Sequence, residues 1–334
     1  MSDARGPYGP GAEFELIRRL AKLGGDLPAE VRIGPGDDAA VLDDGWVIST
    51  DLTVEDVHFR RAWITDQEVG YRAATAALSD MAAMAATPVG LLVSIAAPRG
   101  GAVDVESVQA GIVEAASMVG AGVIGGDVSR SPGPLMIDVV ALGRTIWPVC
   151  RDGAGPGDHV WVTGSLGASA AAIRAWDAGE EPAKELRHAF VRPTARVSEA
   201  RCLAEHDVVD AMIDISDGLI GDVGHIAAAS GMKITLELAK IPVGESVVEA
   251  LGQDDALQAA LTGGEDYELC FVTDPGIVDP GYFLERYGVT VTRVGAVTEG
   301  EGVWLQTEDG TADRVATGGF DHWDATGTAK EEGV

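Results

Sequence analysis

Lysine is the scarcest charged residue of this chain: five occur among 334 residues, against 19 arginines and 53 acidic side chains. None sits in a glycine-rich loop. The phosphate-loop pattern G-x-x-x-x-G-K-[ST] is absent, and so is the protein-kinase catalytic set. The commonest ATP-binding folds are thereby excluded. Any phosphate handling must rest on metals, backbone N–H groups and arginines. Cysteine is also sparse. Cys150, Cys202 and Cys270 are far apart, odd in number and in no metal-like spacing, which argues against a disulfide framework and for a reducing compartment. No H-x-x-H or H-E-x-x-H pattern occurs, so zinc is not expected. Net charge is −29, which argues against binding to nucleic acid or to an anionic membrane surface. It fits a salt-adapted protein and an ordinary acidic enzyme equally well. The N-terminus lacks an apolar signal core. The uncharged run at 81–98 is divided by Pro88 and Gly90 into a helix end and a strand, so it reads as buried core and not as a membrane span. A cytoplasmic location is expected.

The length allows two domains, each with its own core. Phe14, Ile17, Leu20 and Leu23 are spaced as an amphipathic helix, and 39–50 reads as two short strands about Asp43-Asp44-Gly45. Thr65-Asp66-Gln67-Glu68 matches a capping box opening a helix to about Ala86. A strand at 90–97, a helix at 105–119 and strands at 122–124 and 135–142 follow. The Pro/Gly-rich stretch from Trp147 to Asp158 is the expected boundary. Beyond it come a strand at 159–163, a helix at 167–178, a helix starting near Pro193, a strand at 209–215 and a helix from Asp217. Strands near 233–238, 267–273 and 290–297 complete an α/β or α+β pattern. The expected division is 1–147, 148–324 and a disordered tail at 325–334.

What is present is a set of carboxylates at the ends of apolar segments: Gly36-Asp37-Asp38, Ser49-Thr50-Asp51, Ser79-Asp80, Gly125-Gly126-Asp127, Ile215-Ser216-Asp217 and Gly263-Gly264-Glu265-Asp266. Brought together, they would repel one another unless divalent cations entered. Gly34-Pro35-Gly36-Asp37-Asp38-Ala39 fits the dinucleotide fingerprint in letters only, because two aspartates would face the pyrophosphate and a hairpin follows instead of a helix. Asp37 and Asp38 are read as a turn facing a metal, or else as a surface Asx turn. Asp80 is the only charged residue from Ala73 to Pro98, so it is either a metal ligand or paired, for example with Arg72. Asp51 and Asp127 are read as ending their strands, with Gly125 and Gly126 letting backbone N–H groups approach a phosphate. Either could instead be a turn aspartate. Asp214 lies within an apolar strand, where a lone carboxylate is costly, and Asp217 either caps the next helix or joins Asp214 on a metal. His58 reads as structural or substrate-orienting. Phe320 is either a stacking platform or a pin for the chain end.

Taken in order, G-D-D-A-A (36–40), S-T-D (49–51), V-E-x-V-H-F (54–59), L-S-D-M-A-A-M-A-A-x-P (78–88), G-G-D (125–127), R-x-G-A-x-P-G-D (151–158), D-I-S-D-G-L (214–219) and G-G-E-D-Y-E-L (263–269) resemble the thiamine-monophosphate kinases. These are ATP-binding enzymes of the aminoimidazole-ribonucleotide-synthetase-like superfamily. The resemblance implies direct transfer of the γ-phosphate of ATP to thiamine monophosphate, an acceptor with a second pKa of about 6 that needs no general base. It implies several Mg²⁺ ions on Asp38, Asp51, Asp80, Asp127, Asp214 and Asp217, with Ser49 and Thr50 adding oxygens. It places Gly126, Asp127, Arg151 and Ser216 on ATP, and His58, Glu265 and Phe320 on thiamine monophosphate. It further implies a homodimer joined through the N-terminal sheets and a C-terminal domain that closes the site. Asp56 departs from the family, which usually has Gly there, and residues 1–11 match nothing. The competing readings are another ATP-using enzyme of the superfamily and a non-catalytic nucleotide or metal sensor. No Cys or Lys in the N-terminal segment could form the catalytic pair of a selenophosphate synthetase.

Overall fold

Two sheets, the first covered by helices on one face and the second on both, account for the alternation seen in the sequence. The computed structural model describes residues 11–320 except 102, 207, 316 and 317. The N-terminal extension through residue 10 and the tail expected at 325–334 lie outside the described residues. The first half contains α1 (Ala12–Leu23), β1 (Val31–Ile33), β2 (Ala40–Leu42), β3 (Trp46–Val54), α2 (Asp66–Ala83), β4 (Thr87–Pro98), α3 (Val105–Met118), β5 (Gly122–Ser131) and β6 (Met136–Arg144). Its sheet runs β1-β2-β3-β6-β4-β5 and is antiparallel except for the β4–β5 pair, which leaves β5 at an edge.

The second half contains β7 (His159–Thr163), α4 (Ala168–Asp177), α5 (Lys184–Val191), α6 (Val197–Glu205), β8 (Ala211–Ile215), α7 (Leu219–Ser230), β9 (Lys233–Glu237), α8 (Glu245–Leu251), α9 (Gln253–Thr262), β10 (Glu268–Thr273), α10 (Pro280–Tyr287), β11 (Val291–Thr298), β12 (Gly302–Gln306) and β13 (Ala312–Arg314). Its sheet runs β13-β12-β9-β11-β7-β10-β8, with β12 and β9 parallel. The chain is therefore α+β, with two mixed sheets. Cys150, Cys202 and Cys270 are free thiols. No helix of the described residues is long and apolar enough to cross a membrane.

Helix α2 is the element on which the two halves meet. It opens with the capping box: the Glu68 N–H donates to Thr65 Oγ1, and the Thr65 N–H donates to Glu68 Oε2 at 2.8 Å. From Val69 to Ala83 every residue except Asp80 is buried. A helix apolar all round must be covered all round. Here α3 and the first sheet cover it from its own half, while α5, α6 and β8 cover it from the second half. Asp80 is thereby carried to the junction of the two sheets.

Three expectations need correction. Strand β3 runs on to Val54 and β5 to Ser131, so Asp51 and Asp127 lie inside strands and not at their ends. Pro193 opens no helix; it follows α5, and the next helix begins at Val197. A proline ends a helix as readily as it starts one, because it has no N–H to donate. Asp217 does not cap α7 with its side chain, since the N-cap residue is Gly218.

Candidate active site

Carboxylates from five separate pieces of chain meet where the halves join. Asp38 comes from the loop between β1 and β2, Asp51 from β3, Asp80 from α2, Asp214 from β8 and Asp217 from the turn leading into α7. One oxygen each from Asp38, Asp80 and Asp214 lies within 4.8 Å of the others. Burial, and then the charges of Asp214, Asp38 and Asp51, push the Asp80 carboxyl well above the usual carboxylate range. Burial and Asp38 push Asp214 up to about 7, with Asp217 adding to the effect. Burial and Glu265 push Asp51 up to about 7. The Ser49 hydroxyl donates to Asp80.

Arg151 is the cation set against this group. Its Nε and Nη2 donate to the two oxygens of Asp38 at 3.1 and 2.7 Å, and its backbone N–H donates to Asp37 at 3.2 Å. Burial works against the guanidinium charge, but Asp38 more than offsets this and keeps the group protonated. Burial and Asp38 raise Asp37 to about 6, while its hydrogen bond from the Arg151 backbone makes it part of the Arg151 mount. Arg72 does not pair with Asp80; it turns to the other half and bonds Glu265. The alternative of an Asp80–Arg72 pair is therefore set aside.

The donor set is all oxygen, mostly carboxylate, and carries more negative charge than Arg151 can balance. Hard divalent cations such as Mg²⁺ fit such a set, whereas soft metals do not. Without a metal ion, Arg151 eases the repulsion at Asp38 and the remaining carboxyls relieve theirs by holding protons.

Two of the expected ligands do not join the cluster within one chain. Asp127 pairs across from Ser94, Ser94 from Asp138, and Asp138 from Leu52. That row lies on the sheet face opposite Ser49 and Asp51, because neighbouring residues of a strand point to opposite sides. Three strand spacings, roughly 14 Å, separate β3 from β5. Thr50 is on the same outer face and donates to Asp138 at 2.7 Å. Gly126 also has a local cause: a Cβ there would lie 1.9 Å from the Val93 carbonyl oxygen of β4.

Two of the three residues expected to meet thiamine monophosphate, Glu265 and Phe320, are tied to the β8–α7 turn. The Glu265 N–H donates to the Ser216 carbonyl and the Phe320 N–H to the Asp217 carbonyl, both at 2.8 Å. Gly264 is required here, since a Cβ would come 2.4 Å from the same Ser216 oxygen. Phe320 is about half exposed. His58 sits in the turn after β3, with Nδ1 accepting from the Val54 N–H at 3.0 Å. Asp56 in that turn has φ 65, in the left-handed region where glycine is at ease.

The sequence matches the model of the AIR synthase related protein N-terminal domain over residues 36–145 and that of the C-terminal domain over 155–307. The thiamine-monophosphate kinase of Rhodopirellula baltica is 36% identical, over 88% of this chain and 92% of its own length. That of Escherichia coli is 33% identical, over 93% and 98%. The chain belongs to the thiamine-monophosphate kinase family. Among solved structures, AaThiL complexed with AMPPCP and TMP is 31% identical, with TM-score 0.81 over 94% of this chain and 97% of that one. The thiamine monophosphate kinase of Aquifex aeolicus is 30% identical, with TM-score 0.77 over 91% and 98%. Hydrogenase maturation protein HypE, at 18% identity, shares the fold, with TM-score 0.69 over 95% of this chain and 97% of that one.

Sequence reasoning missed the roles of several polar residues of this family member. Asp222 accepts from the N–H groups of Asp217 and Gly218 and so shapes the turn that carries Asp217. Asp266 accepts from the Gly167 N–H at 2.8 Å, opening α4 from a distance, and burial raises it to about 8. Glu268 is gripped by Arg196 and by the Thr163 hydroxyl, which fastens α6 to the second sheet. Arg72 and Tyr267 both hold Glu265. The signal available in the sequence was a charged or polar residue inside an otherwise apolar segment.

Proposed function

We propose that this chain transfers the γ-phosphate of ATP to the phosphate of thiamine monophosphate, giving thiamine diphosphate. The observation that carries this reading is the convergence of Asp38, Asp80 and Asp214, beside Arg151, in a member of this kinase family. The complex of the AaThiL relative with AMPPCP, an ATP analogue, and TMP supports the pair of substrates.

The acceptor phosphate has a second pKa near 6, so near neutral pH it is already a nucleophile and needs no general base. The task is to bring two anions into line. Mg²⁺ ions held by Asp38, Asp51, Asp80, Asp214 and Asp217, with Ser49 adding an oxygen, would supply the charge neutralisation. With those carboxylates engaged, Arg151 becomes available to the ATP phosphates. Ser216 joins it on the ATP side. Glu265, Phe320 and His58 hold thiamine monophosphate. We assign 1–147 to ATP binding and dimerisation, and 148–324 to closing the site.

A homodimer fits the first sheet. Its outer face and edge expose Leu52, Leu92, Ile124 and Val128. Asp127, Gly126 and Thr50 lie on that side, so in a dimer they would serve a site shared between copies. Mixing inactive Asp80→Asn and Asp127→Asn proteins under subunit exchange would then restore up to about a quarter of wild-type activity, because half the dimers carry one intact site. No recovery in exchanged dimers would assign Asp127 to its own chain's site.

The test of the reaction is ATP consumption with and without thiamine monophosphate, with thiamine diphosphate identified as product. ATP turnover that ignores thiamine monophosphate would point to another enzyme of the superfamily. Nucleotide binding without turnover would point to a sensor.

A further inference from the structure

Glu265 is held in a way that the transfer reaction alone does not require. Its Oε2 accepts from Arg72 Nη2 and, at 2.7 Å, from the Tyr267 hydroxyl. Among the described residues Oε1 accepts no hydrogen bond. Arg72 is itself fixed on three sides. It comes from buried α2, donates through Nη1 to the Phe190 carbonyl, and lies 3.6 Å over the Phe190 ring. The loop is fixed as well. Glu265 and Tyr267 take φ 73 and 52, both left-handed, which side chains rarely adopt. They are kept there by Glu265 N–H to Ser216, Tyr267 N–H to Ile215, and the Ser169 hydroxyl to the Glu265 carbonyl. Such a conformation persists only where its surroundings over-determine it, and it is typical of ligand clamps.

Two donors on one oxygen fix the carboxylate plane and leave the other oxygen as its open acceptor. A carboxylate oxygen can only accept. Thiamine monophosphate has one N–H donor, the exocyclic 4-amino group of its pyrimidine. The thiazolium ring has none, and the phosphate goes to the cationic site. We propose that Arg72 and Tyr267 are positioning residues that aim Glu265 Oε1 at the 4-amino group, making the site selective for an aminopyrimidine. The inference rests on the kinase reading above and deepens it.

The test compares thiamine monophosphate with its 4-oxo analogue, which presents an acceptor where the amine was. For the wild type we expect kcat/KM for the amino compound to exceed that for the oxo compound by at least about 100-fold, since a site built for a donor rejects an analogue that lacks it. For Tyr267→Phe we expect KM for thiamine monophosphate to rise about 5- to 10-fold, with kcat within about twofold and KM for ATP unchanged. The amino-to-oxo preference should fall about 10-fold. Arg72→Lys keeps the charge and loses the fork, and should shift the same two quantities; thermal melting checks that it folds. Should both variants lose melting temperature or kcat yet keep the wild-type preference, the role is structural and the proposal is overturned. A wild type that phosphorylates both compounds equally also overturns it while leaving the kinase reading intact. A wild type with no turnover on thiamine monophosphate removes the kinase reading itself.

Discussion

Magnesium binding to this site should expel protons in a number set by the carboxyls that crowding has raised. Asp51 and Asp214 each have a folded-state pKa of about 7. At pH 7 each is half protonated, so a cation that demands both as carboxylates releases about one proton from the pair. At pH 5 the pair would release close to two, and at pH 9 almost none. Asp80, also raised, adds to the count at every pH where it still holds its proton. The assay is calorimetric titration of metal-free protein with MgCl₂ in two buffers of different ionisation enthalpy, whose difference in heat gives the protons released. Asp214→Asn should lower the release at pH 7 by about half a proton. The sign for stability follows from the same shifts. The folded chain binds more protons than the unfolded chain between about pH 4 and 7, so metal-free stability falls as pH rises through that window, and Mg²⁺ should reverse the fall. Heats independent of buffer between pH 6 and 8 would refute the crowding argument.

Three further outcomes can be checked on purified variants. Asp80→Asn should abolish thiamine diphosphate formation and yet raise the metal-free melting temperature at pH 8, because the buried, raised carboxyl that costs the fold stability is gone; turnover near wild type would refute the metal assignment. Phe320→Ala should raise KM for thiamine monophosphate about tenfold with ATP affinity nearly unchanged, as expected for a half-exposed aromatic on the Asp217 turn; a loss confined to ATP would move Phe320 to the nucleotide side. Asp56→Gly should stabilise the protein to urea by up to about 1 kcal/mol, since φ 65 suits glycine better than aspartate; an unchanged midpoint would mean the turn carries no strain at that position.

How far the sequence speaks depends on what each residue contributes locally. The capping box at Thr65, the hairpin at Asp43-Asp44-Gly45 and the buried α2 were legible because each is written in adjacent residues. The clustering of Asp38, Asp51, Asp80, Asp214 and Asp217 was legible from the oddity of carboxylates in apolar surroundings. The strand ends at Asp51 and Asp127 were misjudged because a single carboxylate resembles a stop signal. In β3, alternation continues through it and puts Asp51 on the helix side while Thr50 and Leu52 face away. Pairing with Arg72 was the alternative to a metal for Asp80. Eight residues along a helix is about 12 Å, too far for a direct pair, and the true partner is 193 residues away in sequence. Long-range polar pairings of this kind, Arg196 with Glu268 among them, leave no local trace.

If these carboxylates hold Mg²⁺ as proposed, their position explains why no phosphate-loop lysine is needed. A phosphate-loop lysine works from one loop on one element, whereas these carboxylates come from β3, α2 and the β1–β2 loop on one side and from β8 and its turn on the other. Any cation bound by both sets must also tie the two sheets together. Metal-free, the mutual repulsion of the set is eased by Arg151 on Asp38 and by retained protons. Arginine suits that place because burial cannot strip its proton, while a lysine there would be free to neutralise. Charge neutralisation of the phosphates and closure of the two halves are on this account one event, drawing on the same five side chains.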